Sequence, residues 1–276
     1  MKFAPPSPGA IPALTGREQR VVLRQSNLRK FMKLKIFSFL TVGTAALLAL
    51  TAGLAAADDT NLNTLTAEEK AAGWQLLFNG TNFNGWHNYH RTGMTPGWVI
   101  EDGALVNKQH GGDIVTSEEY SWFELQLDYK ASAECNSGIM YHVKDSGPAI
   151  WSTGPEFQLE DNATADAPVR SGWLYALYQP PNDPATGKPL DATHPTDQWN
   201  HVRLLLTPEK CEHDINGVKY FEYVLHSDDF NARVAKSKFA RMPGFAKSDV
   251  GFIGLQGDHP GAIAFRNIKI RPIVAK

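Results

Sequence analysis

Cysteine is nearly absent from this chain: Cys135 and Cys211 are the only two among 276 residues. Neither follows closely behind the apolar leader described below, so lipid attachment through a cysteine is not available. The two thiols could pair in an oxidising compartment or stay buried and free, and their spacing leaves both open. No Cys-x-x-Cys, His-x-x-x-His or EF-hand spacing occurs, so the sequence marks no dedicated metal site. Nor is there a Gly-x-Ser-x-Gly elbow. Gly254-Leu255-Gln256-Gly257 opens no helix and so makes no phosphate cradle. Also missing are internal repeats and any 3.6-residue apolar period long enough for a major helix.

Positive charge is scarce beyond the N-terminal segment. Residues 1–57 hold eight Lys/Arg and one acid, which leaves 19 basic and 28 acidic residues and a formal charge of −9. Such a domain is not built to bind nucleic acid or anionic lipid. Within the leader, Met32-Lys33-Leu34-Lys35 is a short basic start, followed by an apolar run from Ile36 to Leu54 and then Ala55-Ala56-Ala57. That pattern predicts a signal peptide over 32–57 and export to the periplasm or beyond, with an uncleaved membrane anchor as the alternative. Residues 1–31 read as an extension ahead of the natural start.

The remainder is long enough for one sizeable core. Thr66-Ala67-Glu68-Glu69 forms a capping box and Gly73 a stop, so a linker and short helix are expected over 58–72. From residue 73 to 274 the texture is short apolar-aromatic runs broken by Gly, Asn and Pro. In Phe123-Glu124-Leu125-Gln126-Leu127-Asp128-Tyr129-Lys130 the apolar residues fall on one face and the polar ones on the other. Asp102-Gly103 and Asn216-Gly217 are hairpin turns. Residues 179–198 form a long irregular insertion. Many short strands without a βαβ rhythm predict an all-β, two-sheet antiparallel sandwich of the jelly-roll type, with a barrel as the lesser alternative.

The informative stretch is Thr153 to Asn162. As a strand it sends Phe157 and Leu159 to one face and Glu156 and Gln158 to the other. Regular pairing would add Glu160 to the polar face, and a one-residue bulge would add Asp161 instead. His142 lies on the preceding strand, Asn136 to Val143, beyond Gly138 and Met140. If these strands pair across the hairpin 144–154, an imidazole, a carboxyl and a carboxamide come within reach of one ligand. His259 sits on a turn at the rim. Seven Trp and eight Tyr in an acidic chain fit a carbohydrate surface, because sugar C–H faces stack on rings while hydroxyls need acids and amides. Trp86, Trp173, Tyr175 and Tyr178 stand beside turns or the insertion and are the candidate stacking residues.

Several segments in order resemble the 3-keto-disaccharide hydrolase domain family, whose fold is similar to that of concanavalin A-like lectins and glucanases. They include Gly73-Trp74-Gln75-Leu76-Leu77-Phe78-Asn79-Gly80, Gly85-Trp86, Asn136-Ser137-Gly138-Ile139, Thr153-Gly154-Pro155-Glu156-Phe157-Gln158, Trp199-Asn200, Gly254-Leu255-Gln256 and Phe265-Arg266-Asn267-Ile268. The resemblance covers most of 65–274. Its Glu-x-Gln-x-x-Asp pattern matches Glu156, Gln158 and Asp161 and favours the bulge. Two places depart from it: the turn at Gly257-Asp258-His259-Pro260-Gly261 is one residue longer, and Asp214 replaces an aromatic after Glu212-His213.

The resemblance implies cleavage of a glycoside already oxidised to a ketone at C3. The ketone acidifies the C2 hydrogen, so a base gives an enolate, the C1 substituent leaves, and water adds. The expected roles are His142 or His259 as base, Glu156 at the leaving group or water, and Gln158 donating to the ketone or a hydroxyl. Asp161 and Tyr175 would position the ring. A divalent ion polarising the ketone is chemically reasonable, although no ligands can be named. The expected assembly is a monomer or small oligomer. Two rivals remain: a non-catalytic carbohydrate-binding module, and an ordinary glycoside hydrolase using Glu156 and Asp161 as its acids.

Overall fold

The computed structural model describes residues 61–165 and 169–274. The expected leader and the extension before it lie outside the described residues. Thr66 caps the helix α1 (Ala67–Ala71): its hydroxyl accepts from the Glu69 amide at 3.1 Å and the Glu69 carboxylate accepts from the Thr66 amide at 2.9 Å. The strands follow as β1 (Gln75–Leu76), β2 (Trp86–Asn88), β3 (Trp98–Glu101), β4 (Ala104–Asn107), β5 (Ile114–Thr116), β6 (Phe123–Ala131) and β7 (Asn136–Val143). After them come β8 (Glu156–Glu160), β9 (Asn200–Leu206), β10 (Cys211–Ile215), β11 (Val218–Tyr223), the helix α2 (Asp228–Lys236), β12 (Phe252–Leu255) and β13 (Ile263–Pro272).

They build two antiparallel sheets, β11-β10-β9-β6-β13-β4-β3 with β1 on β13, and β2-β5-β12-β7-β8. The fold is the jelly-roll sandwich expected. Both Asn-Gly and Asp-Gly turns close hairpins with positive φ at both central residues, which suits the strand twist. Between the sheets Phe123, Leu125, Leu127 and Tyr129 meet Ile139, Tyr141, Phe157, Leu159, Ile253 and Leu255 in one buried cluster. Cys135 and Cys211 are buried and unpaired, and burial pushes both thiols up, to about 12 and about 11.

Helix α2 is short and its apolar stripe is only two residues, Phe230 buried and Val234 half-buried against the core, too little to announce it in the sequence. Asp214 explains its own departure from the resemblance. It faces outward on the larger sheet, where Arg203 gathers Asp214, Glu212 at 3.0 Å and Glu124 at 2.7 Å.

Candidate active site

The smaller sheet carries the candidate site on its outer face, and its register lays that face out in rows. One row runs Glu156, Met140, Gly254, Val115 and His87 across β8, β7, β12, β5 and β2. The next runs Gln158, Gly138, Gln256 and Asp113, with Glu160 and Asn136 beginning a third. The first row is apolar in the middle, and segment 144–153 folds back over it so that Ile150 packs with Val115, Met140 and Val143. The second and third rows are polar. Gly138 is the gap in this floor. A Cβ there would stand 2.3 Å from Oε1 of Glu156, so the Glu156 carboxyl lies directly over the glycine.

Glu156 is 7% exposed. Burial pushes its carboxyl up to about 8; the charge of Lys238 opposes this, while Asp113, Asp258 and Glu160 add to it. At neutral pH Glu156 is therefore an acid holding its proton. Burial likewise lifts Glu160 and Asp113 to about 7 each.

Regular pairing of β8 puts Glu160, not Asp161, beside Glu156 and Gln158. Gln158 spends its amide hydrogens on Asn136 Oδ1 at 3.0 Å and Glu160 Oε2 at 2.9 Å. Its buried Oε1 has no partner, and neither has Oε1 of Gln256 on the far side of Gly138. Two unmet acceptors thus flank the glycine, and with both Gln158 amide hydrogens committed the expected donation to a ketone or hydroxyl has no free N–H, which leaves Oε1 to accept.

Asp161 turns away and organises a loop. Its carboxylate accepts from Thr196 at 2.6 Å, the Glu134 amide at 3.1 Å and the Ala163 amide at 3.2 Å. Burial works against its charge, but these bonds outweigh that and hold it below the usual range.

His142 does not join the site either. The bulge lies on β7: Phe252 pairs with Val143 while Gly254 pairs with Met140, and His142 has φ +53°. The extra residue throws the imidazole off the outer face. It packs edge-on against Trp122, Phe123 and Tyr141, with Nε2–H donating to the Ser121 carbonyl at 2.6 Å, and burial lowers its pKa. His142→Asn, which tolerates positive φ, should cost about 1–3 kcal/mol of stability yet leave kcat within threefold of wild type in a denaturation and turnover series.

Of the aromatics, Trp86 is buried in the core and donates to the Leu77 carbonyl at 2.6 Å. It offers no stacking face. Tyr178 stacks on Tyr223 and Phe221 and donates to Asp229 at 2.5 Å. Residues 172–175 pair along the free edge of β8, with Phe157 opposite Leu174, Gln158 NH on the Trp173 carbonyl and Tyr175 NH on the Glu156 carbonyl. Trp173 and Tyr175 thereby share the site face, but Trp173 is 2% exposed and serves as wall rather than surface. Tyr175 is half-buried at the rim, and Lys238 Nζ stands 4.2 Å from its ring centre and 5.7 Å from that of Trp151. His259 is at the opposite rim, 3.7 Å from Asp258, with a 41% exposed side chain. Among the described residues no group of three or more His, Cys, Asp or Glu side chains is gathered to hold a metal ion.

Alternation alone would have given Glu160. Nothing near Lys238 in the sequence marks it, because it reaches the site from the turn after α2.

A family model described as the 3-keto-alpha-glucoside-1,2-lyase-like domain matches residues 73–271, the whole sandwich apart from its last residues. The chain belongs to that family. A relative named 3-keto-disaccharide hydrolase, from Bacteroides thetaiotaomicron, is 28% identical over 246 residues, which are 76% of this chain and 82% of that protein. Among solved structures, a candidate glycosyl hydrolase from Parabacteroides distasonis is 33% identical and superposes with a TM-score of 0.69 over 77% of this chain and all of that one. A second from the same organism is 28% identical, with a TM-score of 0.52 over 72% of this chain and 99% of that one. In this 3-keto-alpha-glucoside-1,2-lyase-like domain the Glu156 carboxyl lies over Gly138 on the outer face of the smaller sheet.

Proposed function

We propose that this protein is a carbohydrate-active hydrolase that cleaves 3-keto-glycosides by elimination and hydration. The observation that carries the reading is the buried Glu156 carboxyl set over Gly138 between two unmet amide acceptors. The family and the name of the Bacteroides relative support the oxidised substrate.

With His142 turned away, His259 is the base. It takes the C2 hydrogen as a proton, and the electron pair left behind spreads onto the C3 oxygen as an enolate. Lys238, an ammonium held over Tyr175 beside Glu156, stabilises that oxyanion. The enolate then re-forms the ketone as C1=C2 closes and the C1–O bond breaks, and the departing oxygen takes the proton of Glu156. Water adds to C1, returning a proton to Glu156, while the exposed His259 exchanges its proton with solvent and then protonates C2. The net change is hydrolysis. Gln158 and Gln256 accept from ring hydroxyls, and Glu160 keeps Gln158 turned the right way.

The ordinary-hydrolase alternative named Glu156 and Asp161 as its acids, and the commitment of Asp161 to its loop weighs against that pair. The test is incubation with a 3-keto-disaccharide and with its unoxidised parent in D2O. Cleavage of the ketone alone, with deuterium at C2 of the product, is expected. Cleavage of the parent, or a product without deuterium, would turn the case against elimination, and saturable binding without product would make this a binding module.

A further inference from the structure

A cavity of about 340 Å³ opens beside the second row of the sheet, lined in part by Tyr89, His90, Arg91, His110, Asp113 and Asp258. Its walls are fixed by backbone contacts. The Tyr89 hydroxyl is held by the carbonyls of Lys144 and Gly147 at 2.8 and 2.9 Å, and His90 stacks on Tyr89 at 3.9 Å. His110 Nδ1 bonds the Asp258 carbonyl at 3.0 Å, and Asp113 Oδ1 accepts from the Gly257 amide at 3.1 Å. These contacts leave His110 Nε2 and Asp113 Oδ2 for a ligand. The Arg91 side chain has no hydrogen-bond or ion-pair partner among the described residues. Carboxylates, a guanidinium and a flat ring face are the set that grips sugar hydroxyls and C–H edges.

The cavity also lies at the right distance from the site. Asp113 is two strands from Gly138 along one row, which at about 4.8 Å per strand is roughly 10 Å. That is the span of two linked sugar rings. Its volume, at the lower end of the ~300–1,000 Å³ usual for small-molecule pockets, suits one ring.

We infer that this cavity binds the leaving-group sugar of a 3-keto disaccharide, with Arg91 and Asp113 fixing its hydroxyls; this rests on the cleavage reading above. Asp113→Asn keeps the acceptor for Gly257 and Arg91→Ala lies at the surface, so both variants should fold. The experiment compares kcat/KM for a 3-keto disaccharide with that for methyl 3-keto-glucoside, which has no second ring. In each variant the ratio of the two should fall roughly 10- to 100-fold, the effect of deleting a charged hydrogen bond, through KM rather than kcat. An unchanged ratio overturns the assignment. Free glucose, titrated into wild type and both variants and followed by protein NMR shifts, tests the cavity apart from catalysis. Saturable shifts at Tyr89 and Gly112 that both variants lose support the site even if neither ketoglycoside is cleaved, and their absence in wild type overturns it.

Discussion

Glutamine in place of Glu156 should slow turnover of a 3-keto disaccharide by roughly 10²-fold or more, the usual worth of a positioned proton donor, and should raise the melting temperature at pH 8. The two effects share one cause. In the unfolded chain the carboxyl titrates near its ordinary value of 4.5, and in the fold it titrates at about 8. A carboxyl whose folded value lies above its unfolded one favours the fold fully below pH 4.5. That advantage declines as pH rises and is gone above about 8. Glutamine has no proton to lose, so it escapes the decline. The shift corresponds to on the order of a few kcal/mol at pH 8, or several degrees in Tm for a domain of this size. The wild-type kcat should fall as pH rises through about 8. A Tm difference that stays flat from pH 5 to 8 would show that Glu156 ionises normally; unaltered turnover would remove it from the mechanism.

Gly138→Ala should be nearly as damaging without touching an ionisable group. The glycine is not in the left-handed region, so the backbone accepts alanine. What does not accept it is Glu156, whose Oε1, Cγ and Cδ would lie 2.3, 2.8 and 2.9 Å from the new methyl. Its side chain must swing aside. Overpacking of this kind costs about 1–3 kcal/mol, and moving a catalytic group by about 1 Å can cost 10²-fold in rate. The expected result is a folded protein with kcat down by about that factor and an alkaline limb moved to lower pH, as the carboxyl nears solvent. Measuring a thermal melt beside a pH–rate profile separates this from misfolding; a full rate with the limb still near 8 would mean the carboxyl never moved.

The sandwich was legible because its strands alternate cleanly and its hairpins carry Asp-Gly and Asn-Gly. The polar face of β8 was legible too, since Glu156 and Gln158 follow from period two. The choice between Glu160 and Asp161 was not. It turned on where a bulge falls, and the motif favoured β8 while the bulge sits one strand away at His142, where it also decided the fate of the imidazole. A bulge depends on cross-strand partners distant in sequence, here Phe252 and Gly254. The aromatics misled for a related reason: proximity to turns says nothing about which side of the sheet a ring faces, and Trp86 faces in. Asp113, Gln256 and Lys238 arrive from three separate parts of the chain, so only the assembled sheet brings them to Glu156.

The return of segment 144–153 across the outer face has a consequence for what can be degraded. A long polysaccharide lying along the strands needs an open channel with two ends, and here Ile150 stands 3.1 Å from where a Gly254 methyl would be. One end is walled off. On the proposed glycoside-cleaving reading, such a cleft should select by length, admitting small free glycosides or the tip of a longer chain and turning back internal stretches of polymer.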